Sequence, residues 1–318
     1  MIYLLKIVLA LGLISVVEAE NFNYEPEHII VGSLRSVTAQ PDDTFVALAQ
    51  QYSLGYDEMR VANPALDAWV PREGSTIILP SRFILPQPDY KGIYINLAEM
   101  RIYHYVGENS VYTYPISIGR GDWLTPRANA KVIDKLVNPT WYPPESVRKE
   151  HALRGDILPP SVPPGDDNPL GKYALQLDLP SYFIHGTNRP EGIGMRVTHG
   201  CIRMRPANIE VLFNKTPRQT PVTIRYEPFK VAIDNGIAYL EAHDGDDPQI
   251  LADYLGKSII AMSKLSEGKS ISIDWEKFIR VAKQSLGIPT AVNLGDYPLD
   301  LVLVERAVKY KPKRDYIF

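Results

Sequence analysis

The stretch "IHGTNRPEGIGMRVTHGCIRM", Ile184 to Met204, decides the reading of this chain, because it holds two of six histidines and the only cysteine of 318 residues. A free cysteine is ordinarily a small buried hydrophobe. Here Cys201 stands among histidines and glycines, and either His185 or His199 can supply the base or positive neighbour that a nucleophilic thiolate needs once the loop folds back. Gly186, Gly192, Gly194 and Gly200 allow close backbone approach to a substrate. Amides next to Cys201 can then stabilise the oxyanion of a tetrahedral intermediate, so acyl transfer is the natural reaction class.

Around this stretch the pattern from Gly92 to Tyr226 is that of strands: Ile93, Ile95 and Leu97, then Ile102 to Val106, then Val111 to Ile118, with Gly107-Glu108-Asn109 as the first turn. The fold class expected is α+β, with a mostly β, sandwich-like catalytic domain. A Pro-rich stretch, Pro139 to Pro169, interrupts it, and its Pro-Pro pairs exclude a continuous central strand. Loops of this length in compact domains usually serve as lids or binding walls.

Upstream, Phe45, Leu48, Ala49 and Tyr52 recur at the spacing of one helix face after Asp42-Asp43-Thr44, and Gly55 ends that helix. A second helix, Tyr56 to Ala62, stops at Asn63-Pro64, and Thr76 to Leu79 follows as a strand. With a strand over Val31 to Val37, residues 36–80 form a small βααβ module, preceded by an N-terminal segment, 20–35. Residues 81–91, with Pro86 and Pro88, are expected to be a short stiff linker. Met1 to Ala19 has the basic start, apolar run and Val17-Glu18-Ala19 cleavage site of a signal peptide, either removed or retained as an N-terminal anchor, which implies export. Downstream, residues 227–318 carry two short strands around Asp234-Asn235-Gly236 and two helical spacings, Ile250 to Leu265 and Trp275 to Leu286, without a catalytic constellation. This is an accessory segment.

Net charge is only −3, from 34 basic and 37 acidic residues, so the basic footprint of a nucleic-acid or anionic-membrane binder is missing. Exported proteins usually pair their cysteines, and a single one is intermolecular or reactive.

The catalytic stretch resembles the signature of the YkuD-type L,D-transpeptidases: His185, a short loop, then Thr198-His199-Gly200-Cys201 and Arg203. "INLAEMRIYHY", "NPTWYPPESVR" and "DNPLGKYALQL" are similar to the branch that anchors outer-membrane lipoprotein to the wall. Residues 36–80 resemble a LysM module, which binds N-acetylglucosamine-containing glycans such as peptidoglycan. The resemblance implies that Cys201 is the nucleophile and His185 its base, held by a backbone carbonyl. His199 and Gly200 shape the nucleophile loop and oxyanion site, and Thr198, Arg203 and Gly186 position substrate. Trp141 and Tyr142 wall the groove or simply pack. The donor implied is a tetrapeptide stem with meso-diaminopimelate third, and the acceptor a second diaminopimelate amine (a 3-3 crosslink), a lipoprotein lysine, or water. Periplasmic location and no metal or organic cofactor are implied as well. One departure is Thr125-Pro126-Arg127-Ala128, where the family often has glycine after Thr-Pro.

Other readings compete. A zinc site from His185, His199 and Cys201 lacks a second cysteine or a His-Glu-x-x-His motif. A serine enzyme is suggested by Ser146-Val147-Arg148-Lys149 and Ser266-Glu267-Gly268-Lys269, without the accompanying motifs. An inactive wall-binding protein needs the Cys–His pair to be idle. His28, His104, His151 and His243 read as surface or satisfied histidines, and Gly119-Arg120-Gly121 lacks the rest of a dinucleotide fingerprint.

Overall fold

The structure, a computed structural model, describes residues 20–86, 90–245, 247–295 and 308–309, so the expected signal peptide lies outside the described residues. Strand β1 (Glu20–Asn23) is followed by β2 (Ile30–Gly32) and β3 (Arg35–Thr38). The single strand expected over Val31 to Val37 is broken instead: Gly32 turns to φ +75, and the two halves join different sheets. Helix α1 (Phe45–Gln51) starts at Thr44, whose side chain accepts the Ala47 N–H, satisfying a donor that the first helical turn leaves open. At the start of α2 (Tyr56–Ala62) the Glu58 carboxylate accepts the Gly55 N–H at 2.6 Å. Asn63 gives the Asn-Pro signal its physical meaning. Its side-chain amide donates to the Met59 and Ile78 carbonyls and its oxygen accepts the Ile78 N–H, which ties α2 to β4 (Thr76–Leu79), the antiparallel partner of β3.

Residues 81–91, expected as a stiff linker, include a packed strand, β5 (Arg82–Ile84), paired with β2. Its side chains alternate between two covered faces. Phe83 and Leu85 enter the cluster of Phe45, Leu48 and Met59, while Ile84 packs with Ala232 and Tyr239 from the C-terminal segment.

Beyond it come β6 (Gly92–Asn96), β7 (Arg101–Val106), β8 (Ser110–Pro115), β9 (Ile118–Gly119), β10 (Ala128–Val137), α3 (Glu145–Ala152), β11 (Tyr173–Leu177), β12 (Phe183–His185), β13 (Arg196–Thr198), β14 (Ile202–Arg203), α4 (Pro206–Lys215) and β15 (Pro221–Arg225). One nine-stranded sheet runs β1-β8-β7-β6-β15-β10-β11-β12-β14. Strand β10 turns its corner: Ala128 to Lys131 pair with β15, Val132 to Val137 pair with β11, and the register shifts between Val132 and Asp134. Such a shift bends a strand and increases its twist. The curled sheet encloses Ile95, Ile102, Val132, Leu175, Ile184 and Ile224, capped by Ile209 and Leu212 of α4. The domain is α+β and mostly β, as expected.

The Pro-rich stretch contains a helix that its prolines conceal. Pro143 and Pro144 immediately precede α3, where a missing N–H costs nothing. At the neck, Trp141 and Val162 exchange backbone bonds, and the Asn168 side-chain amide donates to the carbonyls of Pro139, Val162 and Pro163.

In the C-terminal segment, β16 (Phe229–Asp234), β17 (Ile237–Ala242), α5 (Pro248–Ser266), α6 (Trp275–Gln284) and β18 (Thr290–Ala291) build a three-stranded sheet covered by helices. Phe278, Val281 and Met262 pack against Leu240 there. Strand β19 (Val308–Lys309) lies parallel to β3. Lys230 fastens this unit to the large sheet, with Nζ 2.8 Å from Glu241 and 2.9 Å from Glu99. Among the described residues no helix is long and apolar enough to cross a membrane.

Candidate active site

Parallel pairing of β12 with β14 sets Ile184 opposite Ile202 and His185 opposite Arg203. Cys201 immediately precedes β14, so this register brings two distant parts of the sequence motif together. On the other side, Ser117 exchanges backbone bonds with Arg203, and its hydroxyl donates to the Gly192 carbonyl. The nucleophile turn is therefore held between the end of the large sheet and the segment after β8.

Within the turn, Gly200 has φ +104, a conformation side-chain-bearing residues rarely adopt, and a Cβ there would stand 3.1 Å from the Tyr182 ring. Thr198 lies inside the turn. It is buried, with its hydroxyl accepting the Gly200 N–H and donating to the Cys201 carbonyl at 2.6 Å. Its hydroxyl donates and accepts inside the turn, so Thr198 shapes the nucleophile loop. The Thr125 hydroxyl donates to the Gly200 carbonyl from the other side.

Cys201 is half-buried, and its Sγ lies 3.5 Å from the carbonyl of Ser181, a residue held at φ +65. Burial pushes the thiol up, against the opposing pull of the Phe183 N–H and the Arg203 guanidinium. His185 is buried, and burial together with Arg203 pushes its imidazole down to about 3. Its Nδ1 lies 2.7 Å from the Gly186 carbonyl. A carbonyl only accepts, so the Nδ1 that faces it carries a proton, and the Leu170 backbone makes a second hydrogen bond to the ring. Gly186 serves this orientation, and a Cβ on it would press within 3.2 Å of the Leu170 carbonyl.

Arg203 is half-buried and senses Cys201, Arg189 and Glu191, and its buried Nε has no hydrogen-bond partner among the described residues. It is the positive charge next to the sulfur. Nothing in residue type or spacing marks Arg189, Ser181 or Tyr182 in the sequence.

His199 takes a separate course. Its Nε2 is 2.6 Å from Glu150 Oε2 and 3.3 Å from Arg120, and Trp123 sits edge-on to the ring. This commitment leaves His185, on the strand paired with β14, as the other histidine of the motif. His185, His199 and Cys201 are not gathered as a ligand trio. The close donor trio among the described residues is Glu99, Glu241 and His243, where Lys230 already pairs with both carboxylates. Trp141 is half-buried at the neck of the insertion and Tyr142 is 71% exposed, and no bond joins either to the turn among the described residues.

Residues 90–224 match the YkuD family, the L,D-transpeptidase catalytic domain. The chain is 43% identical over 217 residues to the probable L,D-transpeptidase YcfS of Escherichia coli K12, covering 64% of this chain and 68% of that one. Against the probable L,D-transpeptidase ErfK/SrfK of the same organism it is 42% identical over 223 residues, 68% and 71% of the two chains. The probable L,D-transpeptidase YbiS, also from E. coli K12, is 36% identical over 261 residues, 80% and 84%.

Proposed function

The chain belongs to the L,D-transpeptidase family and is an enzyme of peptidoglycan, and from that premise we propose that it transfers a stem-peptide acyl group to an amine through a thioester on Cys201. The observation that carries this reading is the His185 imidazole, fixed by the Gly186 carbonyl at the end of the strand paired with β14, which begins directly after the nucleophile. Cys201 Sγ attacks the carbonyl of the diaminopimelate L-centre while His185 Nε2 takes the thiol proton. The tetrahedral intermediate collapses, the C–N bond to D-alanine breaks, and the proton passes from His185 to the departing amine. An acceptor amine then attacks the thioester, gives its proton to His185, and the sulfur leaves to recover it. The acceptor is a diaminopimelate amine or a lipoprotein lysine. Arg203 steadies the anionic sulfur and substrate carboxylates, and the Cys201 amide contributes to the oxyanion site. No step requires a metal or organic cofactor.

Residues 36–80 act on this reading as a LysM module that holds glycan strands. Exposed Trp69, 6.0 Å from the Tyr56 ring, offers a flat apolar contact of the kind sugars stack on. The leader and the substrate together argue for a periplasmic, wall-associated enzyme.

The test is mass spectrometry of wall fragments after incubation with the full chain, on wild type and Cys201→Ala. Stem-to-stem products, lipoprotein–stem products or trimmed stems identify the acceptor. Undiminished products from a folded Cys201→Ala protein overturn the mechanism.

A further inference from the structure

Helix α3 is weakly held by apolar packing. Val147 is its buried residue, while Leu153 at its end and Ile157 just beyond are 89% and 78% exposed. The neck of the insertion is closed by the Trp141–Val162 pairing and Asn168, but those bonds lie at the base of the loop. At the tip, a single carboxylate reaches the nucleophile turn. Glu150 Oε1 accepts from Arg120 at 2.5 Å and from Arg154 at 2.5 Å, and Oε2 meets His199 Nε2 at 2.6 Å.

Two of these partners belong to the two sides of the turn. Arg120 follows β9 and donates its backbone N–H to the Thr198 carbonyl, and His199 is part of the turn itself, two positions before the sulfur. Thr198 in turn bonds the Cys201 carbonyl. Charge-assisted bonds of this kind are short and strong, and the guanidinium and imidazole hold the carboxyl down at about 2. The carboxylate therefore stays ionised across the working pH range.

Resting on the proposed role of Cys201, we infer that Glu150 is a positioning residue: it clamps α3 of the Pro-rich insertion onto the Thr198–Cys201 turn and so sets the wall along which the acyl donor approaches the sulfur. It acts through His199 and Arg120 and touches neither substrate nor sulfur. The same clamp explains why His199, next to the nucleophile in sequence, is withdrawn from proton transfer.

The experiment compares full-length wild type, Glu150→Ala, Glu150→Asp and Arg154→Ala. Three readouts are taken: the rate of Cys201 acylation by a carbapenem, its alkylation by iodoacetamide, and amide hydrogen exchange. Displacement of a groove wall without change at the sulfur slows acylation by the bulky reagent by about tenfold or more. Iodoacetamide, which needs no groove, stays within about threefold of wild type in the same variant. Glu150→Asp recovers part of the acylation rate, Arg154→Ala remains close to wild type, and exchange rises in residues 145–152 and 198–201 of Glu150→Ala alone. Unchanged acylation and exchange in folded Glu150→Ala overturn the inference, as does an equal fall in alkylation, which would locate the effect at the thiol. If wild type forms no adduct at Cys201, the nucleophile reading fails. The exchange data then still decide whether Glu150 holds the helix to the turn.

Discussion

Arg101 and Glu58 meet through two bonds, Nε to Oε1 at 2.8 Å and Nη2 to Oε2 at 2.7 Å, with the arginine fully buried. One partner lies on α2 of the N-terminal module and the other on β7 of the large sheet. The guanidinium also donates to the Thr113 hydroxyl and lies 4.1 Å over the Phe83 ring. Burial opposes its charge and Glu58 restores it, leaving it held above its ordinary value. Removing one partner strands the other charge in the interior, so Glu58→Ala is expected to lose about 3–5 kcal/mol of stability. Urea denaturation measures this, and a loss below about 1 kcal/mol would contradict the account.

The N-terminal module should not fold well alone. Val37, Phe45, Leu48 and Met59 share one cluster with Tyr94, Tyr103, Tyr105 and Val111 of the large sheet. Residues 20–85 on their own expose that face, and the expected result is a weakly cooperative fragment, whereas the full chain unfolds module and sheet together. Circular dichroism of both during thermal melting is the check, and a sharp melt from the fragment would count against a common core. Glycan binding is therefore best measured on the full chain, with Trp69→Ala weakening sedimentation with sacculi.

Two glycines separate stability from chemistry. Gly194 abuts the module, with Tyr56 and Asp57 donating to the Ile193 and Gly194 carbonyls, and a Cβ on it would sit 2.3 Å from Gly55 Cα. Gly194→Ala is expected to destabilise by about 2 kcal/mol or more, since backbone must move at a positive φ. Gly200→Ala strains the turn beside Tyr182, and its main effect should be a loss of Cys201 acylation of about a hundredfold. Denaturation and adduct kinetics on both variants distinguish the two outcomes.

Acid should destabilise the protein below about pH 6.5. His104 is buried beside Tyr112, and burial, with Lys215, pushes it from 6.5 down to about 4, while His185 falls to about 3. Between the folded and unfolded values the unfolded chain binds the extra protons, so stability is complete above about pH 6.5 and falls as pH drops towards 4. At 1.36 kcal/mol per unit, His104 accounts for about 3 kcal/mol of that slope. His104→Leu is expected to flatten the curve of unfolding free energy against pH between 6.5 and 4. An unchanged slope would remove His104 from the account.

Much of this protein was legible in its sequence. The helix face of Phe45, Leu48, Ala49 and Tyr52, the Thr44 start and the Asn63-Pro64 stop are local signals, set by periodicity and by hydrogen bonds within a few residues, and they correspond to α1 and α2. The family followed from His185 and Thr198-His199-Gly200-Cys201, whose residue types and order are rare together, and the comparisons confirm it. What tertiary structure alone decided is where the polar side chains of that motif go. His185 faces a carbonyl supplied by its own neighbour, yet its charge state comes from burial and from Arg203. Thr198 is consumed inside the turn, and His199 is claimed by Glu150, 49 positions away in sequence. The chain between 81 and 91 looked like a linker because proline is a local signal, whereas Phe83, Ile84 and Leu85 are buried by surfaces from both ends of the chain. Periodicity reports what a segment prefers by itself. Ion pairs, protonation states and shared cores depend on partners far away in sequence, and these are set only when the chain has closed on itself.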